Sequence, residues 1–134
     1  MSGLEAGRTG TATVTVTATH TAQAMGSGSV NVFATPQLVA LMEAAAVNAV
    51  AGVLPDKCTS VGTLVNVSHV AATPVGMTVT ATATLKQVSG KKLEFTVEAR
   101  DEKEVVGSGE HHRFIVDEVK FADRANAKLP AASL

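Results

Sequence analysis

The chain has few aromatic side chains and almost no excess of charge of either sign. Its 134 residues include four Phe and neither Trp nor Tyr, so it lacks the rings on which single-stranded bases stack. The formal net charge is −1 at pH 7, which argues against the basic surface that binds a nucleic-acid backbone. We therefore expect no nucleic-acid partner.

Cysteine and targeting signals are also scarce. Cys58 is the single cysteine, so no disulfide forms within the chain, which is typical of a reducing compartment. Residues 1–5 lack the basic segment that precedes the apolar core of a signal peptide. A chain of 134 residues is long enough to form one domain with a buried hydrophobic core. We therefore expect a cytoplasmic protein with a single domain over residues 1–134.

Charged residues are nearly absent from a long stretch of the N-terminal half. Between Arg8 and Asp56 the only Asp, Glu, Lys or Arg is Glu43. Within this stretch, residues 33–54 are rich in Ala and Leu and predict one long helix that is apolar on every face. Because a carboxylate sits at its centre and strand patterns follow it, a buried core helix is favoured over a membrane span.

Both ends of this helix carry the expected signals. Thr35 is suited to cap its N-terminus, and Pro36 fits the first helical position, where a missing N–H is harmless. Gly52 and Pro55 are expected to end it. Burying the lone Glu43 without a partner would be costly or would shift its pKa, which makes it the first candidate for a functional residue.

The rest of the chain has the period of β-strands. Apolar and polar residues alternate in five segments: 11–20, 61–72, 78–86, 93–100 and 104–116. Residues 23–29 are interpreted as a flexible loop, and little regular structure is expected beyond about residue 124. The glycines at 107 and 109 indicate where the helix crosses the sheet. The order predicts an α+β fold in which an antiparallel sheet wraps one long helix, with an open edge that a second copy would cover.

Several short segments form a specific pattern when they are taken together in their order and spacing. They are Phe33-Ala34-Thr35, Leu41-Met42-Glu43-Ala44, Val61-Gly62-Thr63, the run from His69 to Gly76, and the run from Gly107 to Arg113. This pattern resembles the hot-dog fold and, more closely, the fluoroacetyl-CoA thioesterase family. The resemblance covers about residues 33–120 and implies a dimer that hydrolyses acyl-CoA.

The resemblance also implies roles for individual residues. The Thr, Glu and His that cooperate in thioester hydrolysis in that family correspond to Thr35, Glu43 and His69. The glycine beside the thioester corresponds to Gly62, and the arginine at the mouth of the site corresponds to Arg113. One departure concerns the loop before the helix, which in that family supplies an aromatic lid. Here the loop is short and rich in Gly and Ser, so selectivity for fluoroacetyl groups is not implied.

Each of these residues also has a structural interpretation. Thr35 caps a helix on almost any interpretation, His69 alone would more often be a satisfied core histidine, and Gly62 can equally be a strand bend or an oxyanion donor. A neutral His and a carboxylate on facing elements nevertheless favour a working acid–base pair. Thr35 and Glu43 lie about 12 Å apart along one helix. Either His69 bridges them or a second subunit contributes, and we expect a site at a homodimer interface.

Two further groups of polar residues bear on metal binding and on binding of the CoA phosphates. Glu110, His111 and His112 are adjacent in a strand and point to alternating faces, so they cannot all ligate one ion, and no metal is expected. Basic residues that are candidates for the CoA phosphates, with Arg113 first, are Arg113, Lys91, Lys92 and Lys120.

The leading hypothesis is therefore an acyl-CoA thioesterase for small or medium acyl groups, with CoA as the leaving group rather than a bound cofactor. His69 would move the proton, and Glu43 would hold His69 in place and stabilise its charged form. Either water or Thr35 would attack the thioester carbonyl. Two alternatives remain open. One is a hot-dog enoyl-CoA hydratase or dehydratase, and the other is a non-catalytic acyl-CoA-binding module.

Overall fold

A five-stranded antiparallel sheet curls around one long helix in the computed structural model, which describes residues 3–131. The strand order is β1-β3-β4-β5-β2, so β1 and β2 form the two edges. The strands are β1 Thr9–Thr15, β2 Cys58–His69, β3 Thr78–Ser89, β4 Lys92–Arg100 and β5 Val105–Asp117. The helices are α1 Ala22–Met25, α2 Thr35–Ala49 and α3 Glu118–Asn126. This architecture confirms the predicted α+β hot-dog arrangement.

Helix α2 is shorter than the predicted 33–54. Its N-cap residue is Ala34, which has no capping side chain, and Pro36 lies in its first turn. The prediction that Thr35 caps the helix is therefore wrong, because Thr35 is already helical and its hydroxyl bonds elsewhere. The helix ends at Ala49, and Gly52 then takes a left-handed backbone with φ of 79°. Most of one side of α2 is buried against the sheet.

The concave face of the sheet is lined by small and apolar side chains. The buried residues of β3 and β4 follow strict alternation, as predicted: Val79, Ala81, Ala83, Leu85, Leu93, Phe95, Val97 and Ala99. Gly107 lies against the helix, because a Cβ there would come within 2.8 Å of Leu38 Cδ2. This contact confirms the interpretation of that glycine as the place where the helix crosses the sheet.

Three helical segments depart from the sequence-based expectation. Ala18–His20 forms a 3₁₀ helix, so the strand predicted over residues 11–20 ends at Thr15. Residues 23–29 were expected to be a loop, but the short helix α1 forms there, with the Thr21 hydroxyl accepting a hydrogen bond from Ala24 N. Helix α3 begins after Asp117, whose carboxylate accepts from Lys120 N, and it ends at Asn126. The irregular tail expected from about residue 125 thus begins slightly later, and residues 132–134 of that tail lie outside the described part of the chain.

Strand β2 is an open edge with apolar side chains on it. Leu64 and Val65 are exposed there, and Val47 on helix α2 is exposed as well. Within residues 3–131, no helix is long and apolar enough to cross a membrane.

The approach of helix α2 to the edge strand β1 gives a stability prediction. A Cβ on Gly10 would collide with the backbone of Ala45 and Ala49, which cannot move as a flexible side chain can. Gly10→Ala is therefore expected to lower the free energy of unfolding by about 1–3 kcal/mol, as overpacking does. Urea denaturation measures the change, and Thr11→Ala on the exposed side of the same strand is the control. A Gly10→Ala variant as stable as Thr11→Ala would show that the helix does not approach β1 this closely.

Candidate active site

Thr35 and His69 meet where the first turn of α2 lies against the end of β2. Thr35 Oγ1 is 2.7 Å from His69 Nδ1. The other ring nitrogen, Nε2, is buried and has no hydrogen-bond partner among residues 3–131. Burial is the largest influence on the pKa of His69 and lowers it below 6.5, while a weaker interaction with the backbone of Ala71 acts in the opposite direction. A neutral imidazole that accepts the Thr35 hydroxyl proton at Nδ1 carries its own proton on Nε2.

A cavity of about 280 Å³ opens beside this pair. Besides Thr35 and His69, its walls are mostly small or apolar, and they are formed by Ala22, Ser27, Val32, Phe33, Val70, Ala71 and Ala72. The short α1 segment thus forms one wall, in the place where the sequence predicted a flexible loop. The cavity is the right kind of space for a small acyl group next to a proton acceptor.

Glu43 pairs with Arg113 rather than with His69. Arg113 Nη1 is 3.5 Å from Glu43 Oε2, and the side chains are 8% and 40% exposed respectively. The expectation that Glu43 is buried in the core is therefore wrong, and its carboxylate has a cation as partner. Its cation comes from β5, seventy positions away in the chain, and not from its own helix.

Arg113 is held in place by the edge strand. Its Nε donates to Ser60 Oγ and its Nη2 donates to the Ser60 carbonyl oxygen, each at 2.8 Å. Burial lowers the pKa of the Arg113 guanidinium, and the charge of Glu43 opposes that lowering. Because arginine loses its proton only far above neutral pH, the group stays cationic. Its donors are directed into the protein, so Arg113 is not placed to hold CoA phosphates at the surface.

Gly62 makes room for the Glu43 carboxylate. A Cβ on Gly62 would lie 2.8 Å from Glu43 Oε2, and the register of β2 with β5 shifts between Gly62 and Leu64. The register shift agrees with the interpretation of Gly62 as a strand bend, whereas its role as an oxyanion donor stays a prediction. The absence of a side chain at this irregular point is what lets the carboxylate lie against the edge strand.

His111 belongs to the same cluster and was not among the predicted site residues. Its Nδ1 is 2.8 Å from the Leu64 carbonyl oxygen, and its Nε2 is 3.2 Å from Arg113 Nη1. Burial is the first cause that lowers the pKa of His111 below 6.5, so the ring is neutral, with Nδ1–H donating and Nε2 accepting. The signal was present in the sequence, because His111 and Arg113 are two positions apart in one strand and share a face.

The predicted residues thus form two clusters along helix α2. Thr35 and His69 form one, and Glu43, Gly62 and Arg113 form the other. Within the described residues no hydrogen bond joins Glu43 to His69, so His69 does not bridge Thr35 and Glu43 in one chain.

His112 points to the opposite face of the sheet from His111, as the alternation predicted. Its Nε2 is 2.7 Å from Glu110 Oε2 and 3.4 Å from Glu94 Oε1. One ligand atom from each of these three residues lies within 4.8 Å of the others, so they are a group that could hold a metal ion. A metal there would lie across the sheet from the two clusters and would not touch their reactive atoms.

Comparison with known proteins agrees with this geometry. The family model for the fluoroacetyl-CoA-specific thioesterase FlK matches residues 16–119. The chain belongs to the fluoroacetyl-CoA thioesterase family. The fluoroacetyl-CoA thioesterase of Streptantibioticus cattleyicolor is 45% identical over 100 residues, which cover 75% of this chain and 72% of that protein.

Solved structures of the family superpose closely. A structure of FlK has a TM-score of 0.89 at 36% identity and covers 96% of this chain and 99% of its own. An FlK variant solved with acetyl-CoA has the same score and identity and covers 95% and 100%. A thioesterase superfamily member from Thermus thermophilus has a TM-score of 0.86 at 25% identity and covers 95% and 94%. At the level of the family, the prediction of a thioester hydrolase that acts on acyl-CoA is confirmed.

The contact between Gly62 and Glu43 gives a prediction for activity. Gly62→Ala is expected to push the carboxylate away by about 1 Å and to lower turnover by roughly 10- to 100-fold, because catalysis is sensitive to such displacements. Stability should fall only modestly, since the atom at 2.8 Å ends a flexible, partly exposed side chain and the next neighbour, His111 Cε1, lies at 3.3 Å. Thiol release from an acyl-CoA measures turnover, and Thr63→Ala at the neighbouring exposed position is the control. Unchanged turnover in Gly62→Ala would show that the position of Glu43 does not matter.

Proposed function

We propose that the protein hydrolyses the thioester of a small or medium acyl-CoA, and that two copies of the chain form each site. Thr35 and His69 of one subunit would face Glu43, Gly62 and Arg113 of the partner subunit. The observation that carries the proposal is the division of the predicted site residues into two clusters: Thr35 Oγ1 lies 2.7 Å from His69 Nδ1, while the partly exposed Glu43 carboxylate lies apart from them beside edge strand β2. A carboxylate is the natural acceptor for the outer N–H of a catalytic histidine.

The open edge of the sheet supports a pair of subunits. Strand β2 carries both His69 and Gly62, and it is an edge strand with exposed Leu64 and Val65. Pairing two β2 strands edge to edge about a two-fold axis would make them antiparallel. The His69 end of one β2 would then lie near the opposite end of β2 in the partner subunit. The same pairing would cover apolar side chains that are otherwise exposed.

In this arrangement each group has a defined task. His69, kept neutral by burial, accepts a proton at Nδ1 from the Thr35 hydroxyl or from a water molecule in its place. The oxygen freed of its proton attacks the carbonyl carbon, the C–S bond breaks, and His69 returns the proton to the departing CoA sulfur. If Thr35 attacks, water then hydrolyses the acyl-threonine by the same proton route. Backbone N–H groups at Gly62 stabilise the oxyanion.

Arg113 holds the Glu43 carboxylate in place. The carboxylate of the partner subunit would stabilise the imidazolium that forms on His69 during the reaction. This role replaces the earlier expectation that Arg113 binds the CoA phosphates. His111 acts indirectly, through Arg113. Its Nε2 accepts a hydrogen bond from Arg113, and its Nδ1–H donates to the Leu64 carbonyl oxygen, which fixes the ring.

Loss of His69 tests the chemistry directly. His69→Ala is expected to lower thiol release from acyl-CoA by about 10²- to 10⁴-fold, the usual contribution of a general base. His112→Ala, on the other face of the sheet, is the matched histidine control and should keep its activity. Full activity in His69→Ala would remove the proposed proton acceptor. Hydration of an enoyl-CoA without thiol release would favour the hydratase alternative.

The pH dependence of the reaction follows from the same residue. Protonated His69 cannot accept a proton, so the rate should fall as the pH drops through the pKa of His69. Burial lowers that pKa, whereas Glu43 of the partner subunit would oppose the lowering. Glu43→Gln should therefore move the titration of the His69 ring, followed by NMR, to lower pH. A titration that is identical in both proteins would contradict contact between these groups.

Mixed dimers distinguish a shared site from a site within one chain. Glu43→Gln and His69→Ala should each be nearly inactive alone. A mixed dimer would contain one site with both residues intact and one site with both replaced, so mixing the two variants should restore up to about half of the activity per mixed dimer. Mixing Glu43→Gln with Thr35→Ala should behave in the same way, whereas mixing His69→Ala with Thr35→Ala should not. No recovery in the first two mixtures would place all the residues of a site in one subunit.

A further inference from the structure

The outer face of the sheet carries three side chains of metal-binding types where β4 runs beside β5. Glu94 on β4 lies directly opposite His112 on β5 in the strand register, and Glu110 lies two positions before His112. Residues two apart in a strand project from the same face, and residues opposite each other in neighbouring antiparallel strands have Cβ atoms about 5 Å apart. The register therefore brings the three side chains together. We call this group the outer cluster.

The ligand atoms of the outer cluster come close to one another. His112 Nε2 is 2.7 Å from Glu110 Oε2 and 3.4 Å from Glu94 Oε1, and all three atoms lie within 4.8 Å of one another. In a tetrahedral zinc site with bonds of about 2.0–2.2 Å, neighbouring ligand atoms are about 3.4 Å apart. The Glu94–His112 pair already has this separation. The Glu110 carboxylate ends a flexible side chain that is 45% exposed, so a small outward shift would give it the same separation.

Two carboxylates share one nitrogen in the outer cluster. Among residues 3–131, neither Glu94 nor Glu110 has a lysine or arginine as ion-pair partner, and both approach the same atom, His112 Nε2. One N–H cannot satisfy two carboxylate groups, each of which has about four acceptor sites. Carboxylates held this close repel each other unless a cation lies between them. A divalent ion would balance both carboxylates, whereas a protonated imidazole would balance one.

The surroundings of the outer cluster suit a particular class of ion. The side chains of His112 and Glu94 are 12% and 21% exposed, so two of the three ligands are shielded from water, and Glu110 leaves one side open. Zinc accepts three protein ligands of these types with water in the fourth position. An imidazole nitrogen combined with carboxylate oxygens suits zinc-like transition ions, whereas magnesium prefers six oxygen ligands and keeps several waters.

We propose that Glu94, Glu110 and His112 bind a divalent transition-metal ion of the zinc type, with water in the remaining position. The ion joins β4 to β5 on the outer face of the sheet. It is separate from the clusters near α2, because His111 is buried on the opposite face of β5. The inference does not rest on the proposed function.

This site revises the sequence-based expectation that no metal binds. Alternation along β5 correctly places His111 on the other face from Glu110 and His112, so these three residues do not ligate one ion together. The third ligand comes instead from Glu94, eighteen positions before His112 in the chain. Only the pairing of β4 with β5 reveals that Glu94 lies beside the other two.

Calorimetric titration with zinc chloride tests the site without relying on activity. The unmodified protein is expected to bind one zinc ion per chain at the outer cluster. Glu94→Gln and His112→Ala should each weaken this binding about tenfold or more, because each removes one of three ligands. Glu98→Gln, at an exposed position on the same face of β4, is the matched carboxylate control and should bind like the unmodified protein. Zinc binding that is absent, or that either ligand variant leaves unchanged, would overturn the proposal.

NMR of the histidine rings locates the bound ion. The chain has four histidines, and added zinc should shift the ring signals of His112 more than those of the other three. A larger shift at His20, His69 or His111 would place the zinc elsewhere and contradict the assignment. Neither measurement involves a substrate, so the outcome is independent of whether the protein hydrolyses acyl-CoA.

Discussion

The close packing of helix α2 on the sheet is the constraint on which the site depends. Gly10 lets the backbone of α2 approach β1, Gly107 makes room for the Leu38 side chain of α2, and small alanines line β3. A helix held in this way cannot rotate or slide without creating clashes or cavities, because protein interiors are packed as densely as organic crystals. Its first turn and its middle are therefore fixed relative to β2. Thr35 and Glu43 inherit their positions from this packing.

Electrostatics then gives the two clusters opposite characters. His69 is partly buried beside a neutral hydroxyl, so it stays uncharged and able to accept a proton. Glu43 is anchored by the Arg113 guanidinium, which Ser60 and His111 hold from behind, so its position is fixed. The first turn of α2 borders His69 on β2 and its middle carries Glu43, so the two groups lie in different environments.

The sequence predicted the elements well because their signals are local. Period-two alternation located β3, β4 and β5 to within a few residues, and the uncharged stretch located α2. The pairing of Glu43 with Arg113 was missed because the sequence of one helix does not show which cation on a distant strand will lie beside it. Burial of Glu43 was overestimated for a related reason, since a curled sheet leaves one side of the helix open at its edge. Helices α1 and α3 were missed because both are short, and Asp117 and Thr21 caps stabilise them where propensity alone is weak.

The separation of the two clusters within one chain favours a site that two subunits share. Within one chain, His69 Nε2 is enclosed and Glu43 lies two helical turns further along, so direct contact would require unwinding α2 or moving β2 from its place beside β5. Either change would disrupt the packing that positions both residues. A second copy docked on the β2 edge would bring a carboxylate to the neighbourhood of His69 while α2 stays packed on the sheet. Under the proposed function, assembly would complete the acid–base pair, and catalysis would depend on association.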